Sequence, residues 1–384
     1  MQKRIAVVQH GNLPSARRSR ESGEPESYYG MYYSQGYLDN WMAPHPHLVI
    51  SLNGERQCSQ HGLGRIVTIP EPIRKLPVPH TTQTLFWMSQ ICQEILRFNP
   101  THLLLRANDL PAVGILRLAA RKNWSTLVMF AGFFRREKRY DRLVTRELVR
   151  MLNRPHVVRV GNHREPATKS MIDAGLNPRK AVAWDYVVTR TPAQYPVRAL
   201  PKGPVRLFMA GNLIARKGVP ELIDAAILLR QQGINARLVI GGTSEIIEEL
   251  KQRAAPLGEA AEFLGLVSND RVMEEMIRAT FVVVPTRPEF PEGFPMTFTE
   301  SLTVRTPVIA STHPVFTSAL SDGEGVRFFK AGNAQCLAEL VTSLVREPDV
   351  YRELSEKTQT AFERLQCPTR FHEIIEDWLP TGKR

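Results

Sequence analysis

The stretch FVVVPTRPEFPEGFPMTFTESLTVRTPVIAS, from Phe281 to Ser311, carries the reading of the fold. Its first four residues form the kind of continuous apolar run found in strands buried on both faces of a parallel sheet. A helical segment follows from near Phe294, and a second strand pattern covers Pro307–Ala310. Between strand and helix, Pro288 to Glu300 packs three carboxylates, a glycine and three prolines into thirteen residues. Ligands of open parallel sheets lie in the crevice beyond the strands' carboxyl ends, which places Glu289, Glu292 and Glu300 where a ligand would be touched. A solvated acidic turn capping the helix fits the same residues, because carboxylates suit a helix N-terminus.

Working outward, short β-branched runs alternate with helical patterns along the whole chain, the signature of parallel α/β sheets. In the first half the strand candidates are 4–9, 48–52, 102–106, 126–131, 157–160 and 181–184, with helices near 82–98, 112–123, 135–153 and 166–174. In the second half they are 205–210, 237–240, 262–264, 281–285, 307–310 and 326–329, with helices between and two terminal helical pieces, 350–365 and 370–379, broken at Cys367-Pro368. Two doubly wound domains follow. The segment TRTPAQYPVRALPKGP, Thr189–Pro204, has four prolines and little apolar periodicity and reads as a linker. The expected division is residues 1–197, residues 198–366, and a C-terminal piece 367–384.

With 384 residues, 43% hydrophobic and 23% charged, the chain has the composition of a soluble globular protein, and disorder is not expected. The apolar run Ile5–Val8 after Lys3-Arg4 is too short for a signal peptide, and no run approaches the roughly 18 residues of a membrane span. The four cysteines are scattered, with no CxxC or close Cys/His spacing, so neither a disulfide framework nor a zinc site is expected. A cytoplasmic location follows. Charge is uneven: residues 1–200 hold 29 Lys and Arg against 14 Asp and Glu, whereas the remainder holds 21 against 24. Such asymmetry suits a first half that meets something anionic, whether nucleic acid, a membrane surface or a phosphorylated substrate; a merely soluble basic surface fits as well.

Three further turns gather at strand ends of the second half. LFMAGNLIARKGVPELIDA places Gly211 and Asn212 after a strand, and Arg216, Lys217 and Gly218 just before a helix whose free N–H groups and neighbouring cations suit a phosphate. The order Lys-Gly is not that of a Walker loop. LVIGG, ending at Gly241-Gly242, and FLGLVSND, around Gly265, supply the other two.

In this order these elements resemble the donor domain of the retaining glycosyltransferase family 4, glycosyl transferases group 1 of the GT-B fold. Glu292, then GFPMTFT, then Glu300 and the strand PVIAS match that family's paired glutamates, and GNLIARKG matches its phosphate element; the resemblance runs from Val205 to Trp378. It implies two Rossmann-like domains facing a central cleft, the C-terminal helix crossing back to the first. It implies that Glu300 holds the donor ribose, that Glu292 contacts the transferred sugar, and that Lys217 neutralises the diphosphate. The segment Gly293, Phe294, Pro295, Met296 and Thr297 would face sugar and phosphate through its backbone. Gly211, Asn212, Arg216, Gly241 and Val267 complete the expected donor set, and His10 and Gly11 stand on the acceptor side.

The chain departs from the family at four places: Asn212 replaces an arginine, Arg305 replaces a glycine, Ala131 falls where many members carry a histidine, and HGNLPSARRSRESGEPESYYG replaces a double-glycine turn. The resemblance implies that fixed cations and N–H dipoles stabilise the leaving nucleoside diphosphate. No Asp-x-Asp occurs in the chain, so neither a metal nor a cofactor is expected, and the nucleotide sugar is a substrate.

Three features lie outside the resemblance. Arg139, Arg142, Arg146 and Arg150 recur at helical spacing opposite an apolar stripe, which suits peripheral docking on the inner face of an anionic membrane, contact with a polyanionic acceptor, or an ordinary solvated helix face. Tyr28, Tyr29, Tyr32, Tyr33 and Tyr37 suit sugar stacking or core packing. His45 and His47 read as an exposed turn. The leading function is transfer of a hexosyl group from a nucleotide sugar to a glycan, lipid-linked or small-molecule acceptor. A GT-B chain that binds ligand without turnover is the alternative, and nucleic-acid binding lacks any recognisable module.

Overall fold

The alternating runs fold into two parallel sheets, each with its own core. The computed structural model describes residues 2–24, 30–72, 80–107, 109–134, 139–290 and 292–380, with residues 80, 81 and 139–141 described in their backbone alone. Tyr28 and Tyr29 and the side chain of Arg139 therefore lie outside the described residues.

Met1–Glu24, Gly30–Val187 and Cys367–Arg384 form the first compact unit. Its elements are β1 (Ile5–Gln9), α1 (Leu13–Glu21), α2 (Met31–Met42), β2 (His47–Ser51), β3 (Gln57–His61), β4 (Gly64–Thr68), α3 (His80–Phe98), β5 (His102–Arg106), α4 (Leu110–Lys122), β6 (Ser125–Phe130), α5 (Arg139–Leu152), β7 (Val157–His163), α6 (Glu165–Asp173) and β8 (Ala181–Asp185). The second unit, Val188–Gln366, holds β9 (Val205–Ala210), α7 (Val219–Gln231), β10 (Ala236–Gly241), α8 (Ile247–Ala254), β11 (Ala261–Gly265), α9 (Asn269–Arg278), β12 (Phe281–Val284), α10 (Met296–Thr303), β13 (Val308–Ser311), α11 (Pro314–Ala319), β14 (Val326–Phe329), α12 (Ala334–Arg346) and α13 (Pro348–Arg364). The chain then rejoins the first unit as β15 (Thr369–Arg370) and α14 (Phe371–Trp378).

The first sheet has the order β15-β8-β7-β6-β5-β1-β2-β4-β3, parallel except for the β3–β4 hairpin. The second is wholly parallel in the order β11-β10-β9-β12-β13-β14. The winding direction reverses at β1/β5 in the first sheet and at β9/β12 in the second, and these are the points where open α/β sheets bind ligands. Ala6 pairs with both Leu48 and Leu103, and Val282 pairs with Phe208, so each switch point is bounded by fully buried strand residues.

Several local patterns differ from the sequence reading. The β3–β4 hairpin and helices α1 and α2 were not among the expected elements. β3, QCSQH, has an exposed polar middle and no alternation, so it carries no strand signal of its own. α1 is capped by Asn12, whose side chain accepts from Ser15 N at 3.1 Å, with Pro14 in its first turn. His47 is fully buried in β2 rather than exposed, and its Nε2 meets His61 Nδ1 at 2.9 Å. Tyr33 bonds His372 Nδ1 at 2.6 Å and Tyr37 donates to Glu376 at 3.1 Å, so these two tyrosines fasten α2 to α14.

The second unit begins at Val188, ahead of the expected boundary at 198. Two arginines account for this. Arg198 donates to the carbonyls of Met276 at 3.3 Å and Ala279 at 2.9 Å. Arg305 Nε donates to the carbonyls of Pro192 at 2.8 Å and Tyr195 at 2.9 Å. A proline-rich composition does not reveal such side-chain-to-backbone anchors.

Arg305 itself is left-handed, at φ 58°. It ends α10: its N–H bonds Leu302 O at 3.1 Å, and Thr306 N–H bonds Ser301 O at 3.0 Å, the paired bonds of a Schellman end. An L side chain there costs roughly 1–2 kcal/mol. The guanidinium offsets that cost, since beyond Pro192 and Tyr195 it reaches Glu356 O and Gln359 Oε1, both at 3.3 Å.

Candidate functional site

The second unit's switch point holds the candidate site, built from the loops after β9 and β12. Gly218 lets the two loops meet. Its φ is 78°, and a Cβ on it would stand 2.1 Å from Pro285 O at the end of β12, so no other residue fits without moving that strand end. Arg287 N–H bonds Arg216 O at 3.0 Å, and the Arg287 guanidinium pairs with Glu221 in the first turn of α7. The turn carrying Lys217 is thereby fixed against the acidic loop.

Lys217 Nζ is ion-paired with Glu292 Oε2, and Thr286 Oγ1 donates to the same oxygen at 3.1 Å. Glu292 is buried, and Lys217 lies 4.6 Å from the centre of the Phe290 ring, a cation–π contact. Arg216, exposed, has its guanidinium 5.7 Å from the same ring. The loop is braced by His313, whose Nδ1 accepts from Val315 N–H at 3.2 Å; its Nε2 therefore carries the proton and donates to Phe290 O at 3.1 Å. Glu289 stands at the loop's surface, 3.9 Å from Arg287.

A cavity of about 340 Å³ opens at the ends of β9 and β10 and the start of α10, lined by Gly211, Asn212, Gly241, Val267, Met296, Thr297 and Glu300 of the expected donor set. Gly242, Thr243, Leu266, Asn269 and Val272 complete much of its wall. Gly242 has φ 132°, and a Cβ there would fall 1.9 Å from Gly211 O, so the loops after β9 and β10 touch through bare backbone. Glu300, buried in α10, accepts from Asn269 Nδ2 at 2.6 Å. Gly293, Phe294 and Pro295 are not part of the lining; the Phe294 side chain is packed against Phe298 and Phe316, at 5.0 and 6.2 Å between ring centres. Asn269, Thr286 and His313 were missed by sequence reasoning. Asn269 stands in the VSND turn, where Ser268 caps α9, but nothing local ties it to Glu300.

The first unit's switch point holds His10 and Gly11. His10 Nδ1 lies 3.2 Å from Glu71 and Nε2 3.4 Å from Asp109, which also caps α4. The bond to Asp109 raises the His10 pKa above its usual value, against the opposing effect of burial, with Glu71 adding to the rise. Gly11 has φ 104°, and its carbonyl accepts from Ser51 Oγ at 2.6 Å. Ala131, where a histidine was expected by resemblance, precedes Gly132, whose backbone N–H and C=O both bond the Asn162 side chain at 3.1 and 2.8 Å. The next strand end carries a buried cluster: Asp185 lies 3.1 Å from His163 and 3.2 Å from Arg164. Burial pushes the Asp185 carboxyl up, but Arg164 and His163 outweigh it and hold the pKa at about 2. Burial lowers that of His163.

Two doubly wound parallel sheets, with the chain's end returned to the first, are the GT-B architecture. Among solved structures, Anabaena HepE in complex with UDP superposes with a TM-score of 0.65 at 14% identity, covering 95% of this chain and 96% of that one. The sucrose-phosphate synthase of Thermosynechococcus elongatus does so with 0.64 at 14%, covering 95% of each. Residues 192–361 match the family described as glycosyl transferases group 1. By sequence, the chain is 31% identical over 151 residues to a phosphatidyl-myo-inositol mannosyltransferase of Mycobacterium leprae, covering 39% of each. It is 26% identical over 148 residues to a GDP-mannose-dependent alpha-(1-6)-phosphatidylinositol dimannoside mannosyltransferase of Mycobacterium tuberculosis, covering 38% of this chain and 37% of that one. These alignments span less than half the length of the curated relatives.

Proposed function

We propose that the chain is a retaining, metal-independent glycosyltransferase that moves a hexosyl group from a nucleotide sugar to a glycan, lipid-linked or small-molecule acceptor. The observation that carries this reading is the Lys217–Glu292 ion pair, formed between the loop after β9, whose Gly211 and Asn212 line the cavity, and the loop that leads into α10, whose Met296, Thr297 and Glu300 line it. The cavity takes the nucleoside, with Glu300 on the ribose hydroxyls, and the diphosphate reaches the N-terminus of α7, where Lys217 and free N–H groups meet it.

As the bond between the anomeric carbon and the diphosphate oxygen breaks, negative charge grows on the leaving oxygen and Lys217 stabilises it. The acceptor hydroxyl attacks from the same face, and its proton passes to the leaving phosphate, so the configuration is retained without a dedicated base. Glu292, held by Lys217 and Thr286, orients the transferred sugar.

The M. tuberculosis relative is described as using GDP-mannose and HepE is seen with UDP, so the donor base is the quantity to measure. Thermal melting with UDP, GDP, ADP and their sugars should show one nucleotide raising the melting temperature. The matching sugar nucleotide should then be hydrolysed slowly without acceptor, in EDTA, with release of the donor's own anomer. Inversion or dependence on metal would overturn the mechanism, binding without turnover would make the chain a ligand-binding protein, and no binding at all would overturn the reading.

A further inference from the structure

The first unit carries a surface that sugar transfer leaves unused. Helices α3, α4 and α5 each join consecutive parallel strands of one sheet, so they run in the same direction, and α3 packs on α4 and α4 on α5. Arg117 of α4 pairs with Glu147 of α5 at 2.8 Å. Each helix buries one side in the core: Trp87, Ile91 and Ile95 from α3, Ile115 and Leu116 from α4, Leu148 and Leu152 from α5.

The outward side is not simply polar. Phe86 is 65% exposed and Leu85 47%, both in the second turn of α3, and Leu143, in the second turn of α5, is 67% exposed. Farther along α3, Leu96 is 40% exposed. A scattered exposed leucine is ordinary, but a phenylalanine and three leucines on one bank of helices is a pattern. Around them the charge is one-sided. The three helices contain eight arginines and lysines and three acids. Arg142, Arg146, Arg150, Arg117, Arg121 and Lys122 are all exposed, while Glu94 and Glu147 are engaged with Arg65, Arg97, Arg117 and Arg150.

Whatever covers this face must accept cations and apolar side chains together. A second copy of the chain would set arginines against arginines. A soluble polyanion would satisfy the cations and leave Phe86 and Leu143 in water. An anionic bilayer satisfies both, with lipid phosphates for the guanidinium groups and the headgroup boundary for the rings and leucines. We propose that the α3–α4–α5 face of the first unit docks on an anionic lipid bilayer, with Leu85, Phe86 and Leu143 entering the headgroup layer. No helix among the described residues is long and apolar enough to cross a membrane, so the contact is peripheral. The docking does not rest on the transferase reading, although it names the surface at which such an enzyme would meet a lipid-linked acceptor.

The experiment is co-sedimentation of the full chain, without nucleotide, with vesicles of phosphatidylcholine alone or mixed with phosphatidylglycerol. The wild type should sediment with the mixed vesicles only, and less so as the Debye length shortens to about 8 Å at physiological salt. Arg142→Glu with Arg146→Glu should reduce binding tenfold or more. Phe86→Ser with Leu143→Ser should reduce it at physiological salt while leaving binding to dextran sulfate unchanged. All four positions are exposed, and unaltered thermal melting checks that the variants fold. Failure of the wild type to sediment at low salt overturns the proposal, as does full binding by either double variant. Equal loss of dextran sulfate binding in the serine variant also overturns it. Nucleotide binding, measured separately, stands or falls independently of every arm.

Discussion

Lys217 and Glu292, 75 residues apart in the chain, are joined as an ion pair because the strands that precede them, β9 and β12, are neighbours at the point where the second sheet reverses its winding. In the proposed reaction the pair is the cation and carboxylate that meet the diphosphate and its sugar. For Lys217→Ala we expect kcat to fall by about two to three orders of magnitude, the loss seen when one preorganised charge stabiliser is removed. KM should change much less, because charge on the leaving diphosphate grows toward the transition state. A change confined to KM would confine Lys217 to ground-state binding.

Asn269 donates to Glu300 at 2.6 Å and so holds the carboxylate that lines the cavity proposed for the nucleoside. Glu300→Ala should weaken nucleotide binding by about 1.5–3 kcal/mol, the range for a hydrogen bond to a charged group. Asn269→Ala should weaken it less, since the carboxylate remains and only its orientation is released. Calorimetric titration with the nucleotide identified by thermal melting measures both, and an unchanged affinity in folded Glu300→Ala would remove Glu300 from the site.

Arg305 tests how a left-handed residue is compensated. Arg305→Ala keeps the unfavourable φ and loses the anchors to Pro192, Tyr195, Glu356 and Gln359, so urea unfolding should show a loss of about 1–3 kcal/mol. Arg305→Gly loses the same anchors but relieves the backbone, and should be the more stable of the two by about 1 kcal/mol. The reverse order would mean that the backbone is not strained there.

His10 supplies a pH prediction with a defined sign. Its folded-state pKa is raised, chiefly by Asp109, above the ordinary value of 6.5. The charged pairs with Asp109 and Glu71 therefore stabilise the fold fully below pH 6.5, and the contribution is lost as pH rises through the raised value. The stability difference between wild type and His10→Asn should shrink across that window, and Asp109→Asn should bring the His10 titration, followed by NMR, back down. A His10 titration at or below 6.5 in the wild type would refute the pairing.

How much of this was legible in advance depends on the range over which each signal acts. Apolar runs and helical periods are local, so β9, β12, the helix after the acidic loop and the two terminal helices stood in the residues themselves, as did the order of turns that brings Gly211, Lys217, Gly241, Glu292 and Glu300 to strand ends. Which strand ends become neighbours did not stand in the pattern: alternation calls for crossovers between parallel strands, but the placing of β9 beside β12, three strands on in the chain, belongs to the folded sheet. The tertiary structure decided what depends on side chains meeting across that order. It set Asn269 against Glu300, His10 between Glu71 and Asp109, His47 inside rather than in an exposed turn, and Arg305 into a left-handed helix end that an L side chain disfavours. A short polar strand such as β3 and a proline-rich segment held by two arginines have no periodicity to read, since their stability comes from partners far along the chain.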